Sequence, residues 1–265
     1  YISILSLFLL QSCGEYQKVV KSDNYEYKFK MAVSYYEAKQ YNRAMPLFNE
    51  LSTVMRGSSK MEEIAYYYAY CNYAVGDHLI AAYLFKNFTD NYPYAKHTEE
   101  CLYMSAYCYY LKAPDYSLDA TNTYKAIREL QRFINIYPSS DKVKECNNLI
   151  DELREKLAKK DFENAKQYYI TENYKSAIIA FNNLLIDFPS YNDREEVHFL
   201  IVKSSYSLAI NSISNKVEER LKSTIDAFIQ FKDNFPESKY LDDLEITYNK
   251  SQDKLTQLKN NNDEI

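Results

Sequence analysis

Glycine is almost missing from this chain: three residues in 265, beside six prolines and no tryptophan. So few glycines leave almost no positions for positive φ, which disfavours two-residue hairpins, phosphate-cradling loops and nucleophile elbows. β-Sandwiches, Rossmann folds and P-loop enzymes are disfavoured with them. Histidine is as scarce. His78, His97 and His198 stand singly, none at the i, i+4 spacing of a helical zinc site. His97 with Glu100, and His198 after Glu195 and Glu196, read as charge arrangements at helix starts. No cysteine pair has the C-x-x-C spacing. Cys71, Cys101, Cys108 and Cys146 lie in apolar helical patterns and are expected as buried free thiols. Positive charge is not in excess: the net charge is -5 and the pI about 5.4, which argues against nucleic acid as a partner. Past the first ten residues no apolar run is long enough to cross a bilayer. Carboxylates are spread along the chain rather than isolated in apolar context, so no acid–base pair, nucleophile, metal ligand or cofactor site can be nominated. A non-catalytic, nearly all-helical protein is expected.

What the chain does have is tyrosine, 29 of them, and one phrase repeated five times. A small residue is followed by large apolar residues four, seven and eleven positions later, then by proline. It reads Ala81, Phe85, Phe88, Tyr92, Pro93; Ala126, Leu130, Phe133, Tyr137, Pro138; Ala177, Phe181, Leu184, Phe188, Pro189; and Thr224, Phe228, Phe231, Phe235, Pro236. A degenerate first copy is Ala44, Phe48, Leu51, Met55, with Arg56 in the proline slot. Steps of 4, 3 and 4 place these side chains on one helix face, and the proline ends the helix. Each phrase is therefore the second helix of a hairpin. First helices are expected over Tyr25 to Gln40, Met61 to Val75, Glu99 to Lys112, Asp161 to Glu172 and Glu195 to Ile210, with Gly76-Asp77 and Asn173-Tyr174 as tight turns.

This pattern resembles the tetratricopeptide repeat, with prolines 45, 51 and 47 residues apart instead of the usual shorter spacing. The expected fold is an all-α superhelical solenoid of about five hairpins and a polar capping helix near Leu241 to Lys259. Stacked hairpins leave a concave surface lined by their first helices. The repeat's concave positions fall on Glu26, Phe29, Val33 and Tyr36; on Glu63, Tyr66, Tyr70 and Tyr73; and on Glu100, Tyr103, Tyr107 and Tyr110. Tyrosine joins a large ring to a hydroxyl at low rotamer cost, which suits capture of an extended peptide.

Ile2 to Leu10 and the following Gln11-Ser12-Cys13 resemble a bacterial lipoprotein signal. The resemblance implies a signal over 1–12, lipidation of Cys13 and a tether over 13–24. Two further segments are more specific than the generic repeat. Pro114-Asp115-Tyr116-Ser117-Leu118-Asp119-Ala120-Thr121-Asn122-Thr123 with Ala126, Phe133 and Tyr137-Pro138 is similar to the BamD family, the tetratricopeptide lipoproteins of the outer-membrane β-barrel assembly machine. So is Leu157-Ala158-Lys159-Lys160-Asp161 with Tyr168-Tyr169, Ala177 and Phe188-Pro189, while Ala120 departs from the glutamine of many members. Cys13-Gly14-Glu15-Tyr16-Gln17-Lys18 resembles the mature start of Bacteroidota members.

The resemblance implies a scaffold on the periplasmic face of the outer membrane, without a cofactor. N-terminal repeats over 25–155 would receive the last strand of unfolded outer-membrane proteins. C-terminal repeats over 156–259 would dock on the periplasmic POTRA domains of the barrel-forming assembly protein, alongside other subunits of the complex. Glu218, Glu219, Arg220, Asp242, Asp243 and Glu245 would form a charged docking rim. Residues 260–265 are expected to be a disordered tail. The other reading is a periplasmic repeat adaptor for cell-wall or glycan-handling machinery.

Overall fold

The computed structural model describes residues 14–263, so the expected signal, Cys13, Glu264 and Ile265 lie outside the described residues. Every regular element in that range is a helix. Residues 14–20 form α1. Hairpins follow: α2 (Tyr25–Glu37) with α3 (Tyr41–Val54), α4 (Met61–Ala74) with α5 (His78–Asn91), and α6 (Thr98–Leu111) with α7 (Thr121–Ile136). Then come α8 (Val143–Ile170), α9 (Tyr174–Asp187), α10 (Arg194–Ile210), α11 (Ser214–Asn234) and α12 (Leu241–Asp263). Among the described residues the fold is all-α and of the tetratricopeptide-repeat type, α1 followed by five helix hairpins and a terminal helix.

The repeated phrase is the core. Ala44, Phe48 and Leu51 of α3, Ala81, Phe85 and Phe88 of α5, Ala126, Leu130 and Phe133 of α7, Ala177, Phe181 and Leu184 of α9, and Thr224, Phe228 and Phe231 of α11 are all buried. The last large residue of each phrase is the helix cap, and the proline behind it sets its backbone. Tyr92, Tyr137, Phe188 and Phe235 cap at φ -129, -122, -129 and -136 with ψ 62, 65, 70 and 64. That is the displacement out of the helical region which a following proline ring imposes. Met55, followed by Arg56, stays at φ -100 and ψ 19. All five caps still donate their N–H to the carbonyl four residues back, at 2.9 Å.

Where the hairpins turn, three connections share one geometry. The chain takes a single left-handed residue, Lys39 at φ 58, Gly76 at φ 91 or Glu172 at φ 61. The next residue donates its N–H five residues back: Gln40 to Tyr35, Asp77 to Asn72, Asn173 to Tyr168. In the fourth hairpin the turn residue is therefore Glu172, not the expected Asn173-Tyr174 pair, and Asn173 caps α9. A charged side chain accepts the left-handed backbone there at a cost of ~1–2 kcal/mol.

Two other expectations change. The fourth first helix does not begin at Asp161 but is the C-terminal part of the 28-residue α8. Nothing between Val143 and Ile170 breaks a helix, and the buried Cys146, Leu149, Ile150, Leu153, Leu157, Ala158, Phe162 and Ala165 keep one helical phase. The terminal helix runs on to Asp263 instead of fraying from 260, with Leu255 and Leu258 packed against Val217 and Leu221.

The chain divides into two compact units. Unit 1 runs to Pro114 and takes in Leu118–Leu153; unit 2 is Asp115–Ser117 with the chain from Arg154 onward. Unit 1 has one core around Phe29, Phe48 and Ile64 and another around Phe85, Cys101, Phe133 and Leu153. Lys28 is buried in it, its ammonium 2.6 Å from Glu50 across the α2–α3 hairpin. Unit 2 is centred on Phe162, Phe181 and Val197, and on Phe228, Phe231 and Leu244.

Truncation of a phrase residue should be costly and of a surface residue nearly free: Phe181→Ala is expected to lose ~3–5 kcal/mol and Lys175→Ala less than ~0.5 kcal/mol in urea unfolding. The turns should respond in opposite directions. Lys39→Gly and Glu172→Gly should each gain ~0.5–1 kcal/mol by relieving the left-handed backbone, whereas Gly76→Ala should lose ~1 kcal/mol. Equal effects at Phe181 and Lys175, or no gain at either turn, would contradict these assignments.

Candidate functional site

In unit 1 the first helices α2, α4 and α6, and the start of α8, bring the expected groove residues together in two different ways. The first is a tyrosine ladder. On α4, Tyr66 and Tyr70 lie with ring centroids 4.8 Å apart, and Tyr73 stands edge-on to Tyr70 at 6.4 Å. On α6, Tyr103, Tyr107 and Tyr110 stack successively at 5.7 and 5.8 Å. The three- and four-residue steps of a helix produce these contacts.

Four of the hydroxyls are already engaged, those of Tyr66, Tyr70, Tyr103 and Tyr110. Tyr66 donates to Glu100 on α6 at 3.2 Å, and Tyr70 donates to the same carboxylate. His97 places Nδ1 3.1 Å from Glu100, and its ring centroid is 4.4 Å from that of Tyr66. One helix further, Tyr103 donates to Glu145 at 2.7 Å and Tyr110 to Glu152 at 2.6 Å, both on α8. Lys142 completes that cluster, 2.8 Å from Glu145 and 4.8 Å from the Tyr103 ring centroid. α4 is thus tied to α6, and α6 to α8, by phenol-to-carboxylate bonds.

The titration behaviour follows from this. Burial, then the bond to Glu100, pushes the Tyr70 phenol well above its usual range. Tyr66 is raised by burial and by the Glu100 charge, and Tyr103 by burial and its bond to Glu145. The bond to Glu152, then burial, takes Tyr110 up to about 12. Lys142 first, then Tyr103, hold Glu145 below the ordinary carboxylate value.

The second arrangement is an open groove of about 800 Å³ between α2 and α4. Phe29, Val33 and Tyr67 give it apolar surface, and Glu26, Glu63 and Lys60 charge its edge. Lys60 lies 4.6 Å from the Phe29 ring centroid and 3.5 Å from Glu26. Phe29 is also part of the core, so the groove is shallow over it. Tyr36 does not line this space; it packs against Tyr41 and Tyr67 at 5.6 and 4.8 Å, and burial first raises its phenol to about 12.

Tyr67, Glu145 and Glu152 were not among the expected site residues. On α4, tyrosines at 66, 67, 68, 70 and 73 surround the helix, so periodicity cannot tell which face is the groove. Glu145 and Glu152 do carry a signal, since each is 42 residues after its tyrosine, a repeat-like separation comparable with the 34 from Tyr66 to Glu100. Using it requires knowing that α8 begins at Val143.

In unit 2 the expected rim residues are paired within the chain. Glu218 meets Lys222 at 2.7 Å, Glu219 meets Lys216 at 3.0 Å, Asp243 meets Lys203 at 3.1 Å and Glu245 meets Lys232 at 3.1 Å. Arg220 donates to the Ser212 hydroxyl, and Asp242 is exposed. The surface is one of mixed charge. Cys71, Cys101, Cys108 and Cys146 are buried and free, and burial raises Cys71 and Cys108 to about 12 and Cys146 to about 11. No group of His, Cys, Asp and Glu among the described residues is placed to hold a metal. No helix among them is long and apolar enough to cross a membrane.

A family model described as YfiO, outer membrane lipoprotein, matches residues 22–221 and 162–260. A protein of Aquifex aeolicus (strain VF5) that carries the name outer membrane protein assembly factor BamD is 24% identical over 203 residues, covering 76% of this chain and 66% of that protein's length. Solved structures with similarity include the TPR2AB-domain:pHSP90 complex of yeast Sti1, at 14% identity and a TM-score of 0.40, and a thermophilic TPR protein of Thermus thermophilus, at 15% and 0.34. Each covers 86% of this chain and 98% of its own.

The phenol-to-carboxylate bonds should be visible in an alkaline titration followed at 295 nm. A phenol raised in the folded state contributes stability that is intact below its unfolded value of about 10 and lost as pH rises through its folded value, about 12 for Tyr110. Tyr110→Phe should remove one late-ionising phenol, and Glu152→Ala should return Tyr110 toward 10. Glu100→Ala, which leaves two half-buried hydroxyls unpaired, should cost ~1–3 kcal/mol. A titration curve unchanged above pH 11 in both Tyr110→Phe and Glu152→Ala would contradict the bonding.

Proposed function

Since the chain belongs to the YfiO family of outer membrane lipoproteins, whose model matches residues 22–221 and 162–260, we propose that it is a non-catalytic scaffold of outer-membrane β-barrel assembly. Lipidation of Cys13 anchors it on the periplasmic face of the outer membrane. Unit 1 receives the last strand of unfolded barrel clients, and unit 2 docks on the POTRA domains of the barrel-forming assembly protein, with other subunits of the complex. The similarity to a protein carrying the name of an assembly factor supports the general role.

The observation that carries the client reading is the groove between α2 and α4. It offers Phe29, Val33 and Tyr67 for alternate side chains of an extended strand, and Glu26, Glu63 and Lys60 for the polar ones between them. Barrel strands alternate apolar and polar residues with a period of two, and a groove with an apolar floor and charged edges fits that pattern. Beside it, the tyrosine ladder acts as a stiff wall: with four of its hydroxyls bound to Glu100, Glu145 and Glu152, it presents ring faces more than free donors. For unit 2, the mixed-charge surface of Lys203, Asp243, Lys232 and Glu245 suits a folded, water-rimmed partner better than an apolar peptide.

The test must avoid residues that hold the fold. Truncating Tyr70 would break its bond to Glu100, and removing α12 would uncover Phe228 and Phe231, and Val217 and Leu221, of α11. Val33→Arg in the groove should weaken binding of a labelled peptide copying a barrel's last strand by tenfold or more, ~1.4 kcal/mol, while leaving co-purification of the barrel-forming partner intact. Lys203→Glu with Lys232→Glu should do the reverse. If the folded Val33→Arg variant binds peptide like the parent, or the lysine pair leaves partner recovery unchanged, this division of labour is wrong.

A further inference from the structure

The segment expected as a tether between anchor and repeats is a docked helix. In α1, Val19 is buried in the first core of unit 1. Tyr16 donates its hydroxyl to the Arg43 carbonyl at 3.2 Å, stands edge-on to Tyr35 at 5.6 Å and lies 5.7 Å beneath the Arg43 guanidinium. Tyr35 and Arg43 bracket the α2–α3 turn, so α1 runs antiparallel to α2 and Gly14 lies at the turn end of unit 1. The α4–α5 turn lies at the same end, since Lys39 to Arg43 share a surface pocket with Ala74 and Val75. The end of α6 joins it, where Lys112 acts electrostatically on His78.

This end carries a cluster of exposed apolar side chains from α5 and α7. Leu79, Ile80 and Tyr83 in the first two turns of α5 are 48, 51 and 61% exposed, and Tyr124 in the first turn of α7 is 59% exposed. Further along the same helices the outward residues are polar: the Lys86–Asp90 pair and Asn91 on α5, and Arg128, Gln131 and Asn135 on α7. At the opposite end Tyr25, Tyr27, Val54, Tyr94 and Ile136 are exposed, one or two to a segment. Charges at the turn end are of both signs, with Glu15, Lys39, Asp77 and Lys112 exposed.

We propose that the turn end of unit 1 is a membrane-contacting surface, resting in the headgroup layer of a largely zwitterionic bilayer with Leu79, Ile80, Tyr83 and Tyr124 at the interface. This rests on Cys13 carrying the lipid anchor. Cys13 is bonded to Gly14, and consecutive Cα atoms are about 3.8 Å apart, so the acyl chains leave the protein within one residue of the docked helix. An anchor without slack brings the nearest surface to the bilayer. Tyrosine rings favour the interface, and apolar side chains a few ångströms below the headgroups gain by burial. Mixed charge fits a zwitterionic headgroup, which offers both a phosphate and an ammonium.

The full lipidated chain, purified from membranes and reconstituted in phosphatidylethanolamine-rich vesicles, provides the test. A nitroxide is attached at Ile80→Cys or, separately, at Asp90→Cys; the four buried thiols do not compete. Flotation with the vesicles reads the anchor, and collision of each nitroxide with oxygen against a water-soluble nickel chelate reads depth. The expected result is flotation of both variants, with the label at 80 several-fold less accessible to the chelate than the label at 90 and richer in oxygen collisions. Chains that do not float overturn the anchor and the surface with it. Chains that float with both labels equally open to the chelate overturn the surface alone.

Discussion

A hairpin in this protein cannot bury the second helix's phrase by itself, and most of the structure answers that constraint. The small residue that opens each phrase lets two helices approach, and the rings that follow need a third helix to cover them. Phe85 and Phe88 of α5 share a buried cluster with Cys101, Leu102 and Ala106 of α6. Phe181 and Leu184 of α9 share one with Val197 and Leu200 of α10. α6 supplies cover so completely that Cys101 to Ala106, Cys108 and Tyr109 are all buried. At the chain's end α12 takes the role with Leu244 and Leu255, which is why its helix persists into the polar stretch that composition marks as a tail.

The same stacking decides what the tyrosines are for. Read in one dimension they are a groove offering hydroxyls. In the folded unit the first helices stand close enough for those hydroxyls to reach the next helix, and Glu100, Glu145 and Glu152 accept them. A phenol bound to a carboxylate is a fixed strut with an exposed ring face, so the ladder favours stiffness over adaptable hydrogen bonding. The open space lies where this pattern gives way, between α2 and α4, at residues the ladder does not use. The docked α1 adds its own constraint: ring packing at Tyr16 and burial of Val19 fix the direction in which the chain leaves unit 1.

Much was legible without coordinates because it depends on spacing alone. The 4-3-4 steps, closed by proline in four of the five phrases, identified every phrase helix and its buried face, since helical phase and the steric effect of proline on the preceding residue are local. The four buried thiols were legible for the same reason. Glu172 was not: Gly76 announces a left-handed turn by its identity, whereas a glutamate takes that backbone only because the packed helices on both sides require it. Tyr67 was hidden by a helix with tyrosine on every side.

The sequence by itself therefore determined an all-helical repeat, its phase and its core, as properties of neighbours within a turn or two of each other. Only the tertiary structure decided which tyrosines bond to which carboxylates, where a groove stays open and at which end of unit 1 Gly14 lies. Those depend on groups 22 to 42 residues apart, such as Lys28 with Glu50, Tyr16 with Arg43 and Tyr103 with Glu145, whose distances are set by how helices stack and not by anything a single helix encodes.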